Sequence, residues 1–260
     1  MEEQTVPAYP KGRTSKTVPV IVVLILIAAA ALGAYFLIAR AGGAGDPASF
    51  IPQEVAIAVT LDFRGSAEKN AAMDFIHGVL KDAGVKETEK DLFNELGKQL
   101  KMDFEKDVVG HLSGTAALAI LNEPSGMLPQ IVAAIGARSD GDASALIKTL
   151  GDKLNANKVG FELKKYDDFS YYAIPIPGPA TPLGQIVNYV GAVKNCVVYA
   201  DTEAAYKKMV DTVKGKPSLL ADKNYAKLRK PGTAVYATAY YSGEGFYKFV
   251  SPYLALAAAA

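Results

Sequence analysis

Two hydrophobic rhythms divide the chain. From Val18 through Ala39 apolar residues follow one another without a charge. Beyond residue 52 they recur at every second, or every third to fourth, position, as in half-buried strands and helices. As a helix rising ~1.5 Å per residue, the first run is roughly 33 Å long, enough to cross a bilayer core of ~30 Å. Thirteen of its 22 residues are Val, Ile, Leu or Phe. Each favours insertion by ~0.3–0.6 kcal/mol, or roughly 4–8 kcal/mol together. Lys11, Arg13 and Lys16 precede the run and only Arg40 follows it closely. The positive-inside rule therefore predicts a cytoplasmic tail at 1–16, a transmembrane signal anchor at 17–40, and the rest of the chain outside. That arrangement belongs to a single-pass membrane protein, its main domain periplasmic or extracellular. Cleavage of a signal peptide at Ala39-Arg40-Ala41 is the competing reading, against which stand the length of the run and of its polar leader. Ala29 and Gly33, like Ala30 and Ala34, have the spacing that lets a second helix approach closely, which makes Ala29 and Gly33 candidate partner contacts.

The outer region reads as alternating strands and amphipathic helices. A glycine-rich linker spans 41–51. Val55, Ile57, Val59 and Leu61 then share one face of a strand over 54–63, with Ala56 and Ala58 opposite. Gly65 or Ser66 opens a helix whose stripe is Ala71, Ala72, Phe75, Ile76, Val79, Leu80 and Ala83. Asn70, Asp74, His77 and Lys81 lie on its polar side. A second helix over 88–101 turns Leu92, Phe93, Leu96 and Leu100 inward. Strands follow at 114–122 and 129–137, separated by the turn Asn122–Gly126. Asp140 or Asp142 caps a helix carrying Ala143, Leu146, Ile147, Leu150 and Leu154. Strands at 159–166 and 169–175 join at Asp167-Asp168, and a proline-dense loop runs from Pro175 to Pro182. Strands near 185–192 and 195–200 lead to a helix from Thr202 with Ala205, Tyr206, Met209, Val210 and Val213 inward. A short helix near 221–229 reaches Pro231. This order predicts an α+β fold: a largely antiparallel sheet with helices packed on one side, preceded by one N-terminal transmembrane helix. The α+β domain spans 52–230.

The strand entered at Pro231 and the turn after it repeat the grammar of Pro52 to Ser66: proline, strand, polar turn, helix. Residues 231–260 thus read as the start of a second repeat. The repeat stops half-built, and the closing Ala257–Ala260 reads as an incomplete C-terminus in preference to a true helix end.

Several short motifs, taken in order, resemble a bacterial family known as a domain of unknown function. They are Pro52-x-x-Val55-Ala56, Asp103-Phe104 with Asp107-Val108 before Gly114, and Tyr166 through Tyr172. Lys214-Gly-Lys-Pro-Ser218-Leu219 follows with Tyr225, and then Pro231. The resemblance covers roughly residues 50–241. It implies a cytoplasmic tail, one anchor helix and an extracytoplasmic α+β domain, and it brings no catalytic residues.

Charge and chemistry narrow the function further. Outside residues 1–40 the chain holds 24 basic and 25 acidic groups, so no basic surplus attracts nucleic acid. One cysteine, Cys196, rules out an internal disulfide framework and reads as a buried thiol in a strand. Of two histidines, His77 falls on a polar helix face beside Asp74, and His111 follows Gly110 beside Ser113 at a turn. Neither reads as a catalytic base, and no nucleophile-elbow, zinc-protease or phosphate-loop motif occurs. Asp140-Gly-Asp142 begins like a calcium loop but lacks its glycine and its terminal glutamate, leaving helix capping as the better account. Asp167 and Asp168 read as a turn. Twelve of fourteen tyrosines lie beyond residue 160. Tyr171 and Tyr172, beside the proline loop, are candidate partner contacts.

The function this predicts is a membrane-anchored, extracytoplasmic, non-catalytic accessory or scaffold protein. It touches the bilayer through residues 18–39 and docks other membrane proteins or the envelope, with no cofactor or metal. A binding module for lipid or another apolar ligand is the first alternative, and an enzyme with an unrecognised site the second.

Overall fold

The computed structural model of the protein describes residues 46–62, 103–122, 130–156, 158–176, 186–228, 237–247 and 250–251. The apolar run at 18–39, the helices expected at 66–83 and 88–101, His77, and most of the proline loop lie outside the described residues. So do Ala29 and Gly33. Among the described residues no helix is long and apolar enough to cross a membrane.

Eight strands form one sheet: β1 (Val55–Asp62), β2 (Leu112–Leu121), β3 (Gln130–Ala137), β4 (Glu162–Tyr166), β5 (Phe169–Pro175), β6 (Val187–Val193), β7 (Cys196–Ala200) and β8 (Ala237–Tyr241). Their order is β4-β5-β6-β7-β3-β2-β1-β8, and every neighbouring pair is antiparallel. Among the described residues, helices α1 (Phe104–Asp107), α2 (Asp140–Ala156), α3 (Glu203–Val213) and α4 (Lys223–Leu228) accompany them. Hairpin chemistry accounts for much of this connectivity. Asp167 between β4 and β5, and Lys194 between β6 and β7, adopt φ of 51° and 48°, as tight two-residue turns require.

Pairing fixes which residues share a face, because side chains alternate along each strand. Tyr171, Gly191, Val198, Ala134, Ala117, Thr60 and Thr238 stand opposite one another in succession across seven strands. This first face is the buried one. Val132, Ala134, Val198 and Ala200 join Ala205, Tyr206, Met209 and Val210 of α3 in a single core, closed at its far end by Tyr225 of α4. Of the inward residues expected for the helix after Thr202, Ala205, Tyr206, Met209 and Val210 are buried, Val213 is half-buried against the same core and Thr212 is buried beside them; Thr202 caps the helix by accepting from the Ala205 N–H at 3.2 Å. The packed region also starts before Pro52: Ala48, Phe50 and Ile51 are buried, and Leu219 donates its N–H to the Ile51 carbonyl at 2.8 Å.

The expectation of helices on one side alone needs correction. Tyr171 points toward α3, where its hydroxyl donates to Glu203, while its neighbour Tyr172 faces Gly151 of α2. Consecutive strand residues face opposite ways, so α2 and α3 lie on opposite faces. The sequence carries the reason: β5, β6 and β7 are apolar on both faces, as Val197 and Val198 show, and each face requires cover.

Candidate functional site

On the second face, α2 crosses the sheet and leaves a recess of about 390 Å3 between itself and the β4–β6 strands. Helix α2 begins there with a reciprocal cap. Ser139 Oγ accepts the Asp142 N–H at 3.1 Å and donates to Asp142 Oδ2 at 2.6 Å. Ser139, rather than Asp140 or Asp142, is thus the capping residue, with Asp142 as its partner three positions on. One turn from its other end, Gly151 lets the helix settle onto the Tyr172 ring. A Cβ at that position would lie 2.8 Å from Tyr172 Cζ.

The recess has an apolar floor and a charged rim. Ile147 comes from α2 and Leu163, Tyr172 and Ala192 from the strands. Asp140, Lys148, Asp168 and Lys194 bring two carboxylates and two ammonium groups to its border. Leu163, on the edge strand β4, is 65% exposed. Tyr172 meets Phe161 edge to face, with centroids 4.7 Å apart. Of the two tyrosines singled out by sequence, then, Tyr172 lines an open recess and Tyr171, at 1% exposure, is core.

Tyr171 anchors a second cluster on the opposite face. Its hydroxyl donates to Glu203 Oε1 at 3.0 Å, and Lys207 and Lys164 meet the same carboxylate at 2.9 and 3.2 Å. These contacts, that of Lys207 foremost, hold the Glu203 carboxyl down at about 2. Burial, aided by the bond to Glu203, pushes the Tyr171 hydroxyl upward. Sequence reading passed over Glu203 and Lys164. The i,i+4 spacing of Glu203 and Lys207 was the available signal, whereas nothing local ties Lys164 to them.

His111 lies beside the start of α2. Its Nδ1 is 2.7 Å from Asp142 Oδ1, and the Ser139 and His111 bonds hold the Asp142 carboxyl below its ordinary range. The carboxylate stands between the histidine and the serine. Ser113, two positions after His111, turns instead to Thr115, with Oγ–Oγ1 at 3.1 Å. This geometry ties the 3-10 turn Val109–His111 to the helix, and it sets no serine against the imidazole as a nucleophile requires. Asp167 pairs with Lys214 at 2.7 Å. Cys196 is buried, and burial pushes its thiol up, away from the reactive thiolate. Among the described residues no group of three or more His, Cys, Asp or Glu could hold a metal ion. What the recess can do is bind: it offers apolar surface with charges of both signs at its border.

A family profile described as "Protein of unknown function (DUF3352)" matches residues 19–258. Among curated proteins none matches. A solved structure titled "Structure of crystal form I of TP0453" is similar at 12% identity and a TM-score of 0.38, a likeness that carries no functional argument. The match covers 78% of this chain and 65% of that one, so less than two thirds of that protein is spanned.

Proposed function

The chain belongs to the DUF3352 family of proteins of unknown function, and on that premise we propose that it is a non-catalytic docking domain held outside the cytoplasmic membrane by residues 18–39. The observation that carries this reading is the recess beside α2, where exposed Leu163 and half-buried Tyr172 border an apolar floor rimmed by two Asp and two Lys. Such a surface suits a partner protein's side chains better than it suits bond-breaking chemistry. Two acid–base groups are engaged elsewhere: His111 is bonded to Asp142 in the cap of α2, and Glu203, which sequence reading passed over, is tied to Tyr171 and two lysines. Support for the membrane location comes from the uncharged run itself and from the placement of Lys11, Arg13 and Lys16 before it.

The test uses the full chain solubilised from its membrane in mild detergent. Co-migration with other membrane subunits is expected, with loss of at least ten-fold of the associated protein in Leu163→Glu, a substitution on an exposed strand edge. Migration as a bare monomer, or co-migration indifferent to Leu163→Glu, overturns the reading.

A further inference from the structure

Among the described residues, β4 has β5 on one side and no strand on the other. Its open side has a definite backbone pattern. Tyr166 and Phe169 flank the two-residue turn Asp167-Asp168 and stand opposite each other, so they exchange both ladder bonds. Bonded and non-bonded pairs alternate along an antiparallel ladder. Glu162 and Lys164 therefore bond to β5, while Leu163 and Lys165 turn their N–H and C=O groups outward. Side chains add to this open edge, since Glu162, Leu163 and Lys165 are all exposed. We infer that the edge is the seat of a second copy of this chain: the two β4 strands pair antiparallel about a two-fold axis at Leu163, and one sheet runs through both copies.

Charge complementarity selects both the occupant and the register. A two-fold axis between antiparallel strands sets one residue against its own copy. At Glu162, Lys164 or Lys165 that residue would be a like charge directly opposed, which destabilises the pair, and Tyr166 already ends the strand. Only at Leu163 does every pair agree. Leu163 then meets Leu163, Glu162 meets Lys164 on each side of the axis, and Lys165 meets Phe161. These are apolar on apolar, carboxylate on ammonium, and a cation with its long stem beside a ring. Edge lysines ordinarily bar strand addition. Here Lys164 is drawn in to Glu203 at 3.2 Å, with Glu162 at 3.7 Å, and Lys165 falls opposite an uncharged residue. Pairing through this axis keeps the same face of both copies on one side. The two recesses then flank the Leu163 pair and join into a single trough, each copy supplying half of its border. The dimer goes beyond the docking reading and does not require it.

Cross-linking and light scattering of the full chain in mild detergent test the inference, the first in a Cys196→Ala background. Opposed residues of a bonded pair have Cα atoms ~5.5 Å apart, inside the ~4.4–6.8 Å range of disulfides. Mild oxidation of Leu163→Cys should therefore give an interchain disulfide at roughly ten-fold or more the yield of Lys165→Cys, because Lys165 falls opposite Phe161 and not opposite itself. Light scattering should give twice the chain mass. Glu162→Lys sets two ammonium groups against each other and should weaken the dimer at least ten-fold. Glu162 is exposed and faces away from the recess, so this variant should keep its Tm within about 2 °C and its recess intact. Equal yields from the two cysteine variants, or a dimer as tight in Glu162→Lys as in the parent chain, overturn the inference. A dimer that carries no other subunit upholds it and ends the docking reading; a monomer that carries other subunits does the reverse.

Discussion

The hydroxyls of Thr60 and Tyr225 meet at 2.9 Å across 165 residues of sequence, joining the C-terminal part of strand β1 to the helix α4. Tyr225 is fully buried and its ring also meets Tyr240 edge to face at 5.7 Å. Removing one hydroxyl strands the other in the core, whereas removing both leaves only packing to be considered. Tyr225→Phe and Thr60→Val should each cost about 1–2 kcal/mol in urea unfolding. The double variant should cost clearly less than their sum, and strict additivity would show that the two hydroxyls are not coupled.

Acid stability should depend on Glu203. Its ordinary value of 4.5 is lowered to about 2 by Lys207, Tyr171 and Lys164. A carboxyl depressed in the folded state stabilises the fold above 4.5, and that contribution is lost as pH falls from 4.5 toward 2. Because Glu203 is about one third exposed, solvent screening reduces the effect. Glu203→Gln should therefore flatten the acid limb of stability over this window and leave the slope above pH 6 unchanged. An identical acid limb in both proteins would refute the coupling.

Gly151→Ala ordinarily favours a helix by ~1 kcal/mol. Here the new methyl would press on the Tyr172 ring, with Cζ at 2.8 Å and Cε2 at 3.1 Å. We expect a net destabilisation of about 1–2 kcal/mol instead. Adding Tyr172→Phe, which deletes the nearest atom, should recover at least half. A stabilised Gly151→Ala protein would mean that α2 sits farther from the sheet.

Cys196 should be inert in the fold and reactive once unfolded. Its thiol is buried and pushed upward by desolvation, with Asp140 adding repulsion. Ellman's reagent at pH 8 should label it more than a hundred-fold more slowly in native than in denatured protein.

Strand content was legible because β-structure writes its period directly into the sequence. Val55, Ile57, Val59 and Leu61 announced β1, and the Asp167-Asp168 turn announced the β4–β5 hairpin. Thr202 announced α3 because capping is a local interaction. What stayed hidden depends on distance along the chain. Nothing in Tyr171-Tyr172 tells which ring will meet α2 and which α3, since that follows from strand order and from Gly151 and Gly191, which admit large rings nearby. The recess was illegible for the same reason: its walls come from α2, the β4–β5 hairpin and the β6–β7 turn, which only the closed sheet brings together. The Ser139 cap was missed by one residue because Asp140 and Asp142 are equally good caps by composition.

Strand β8 pairs with β1 from Ile57↔Tyr241 to Leu61↔Ala237. A ribosome has therefore released nearly the whole domain before one side of the first strand finds its backbone partners. Until then a partly made chain presents a bare β-edge, the template on which neighbouring nascent chains aggregate. Synthesis of this protein thus carries a window of vulnerability that closes only when Tyr241 arrives.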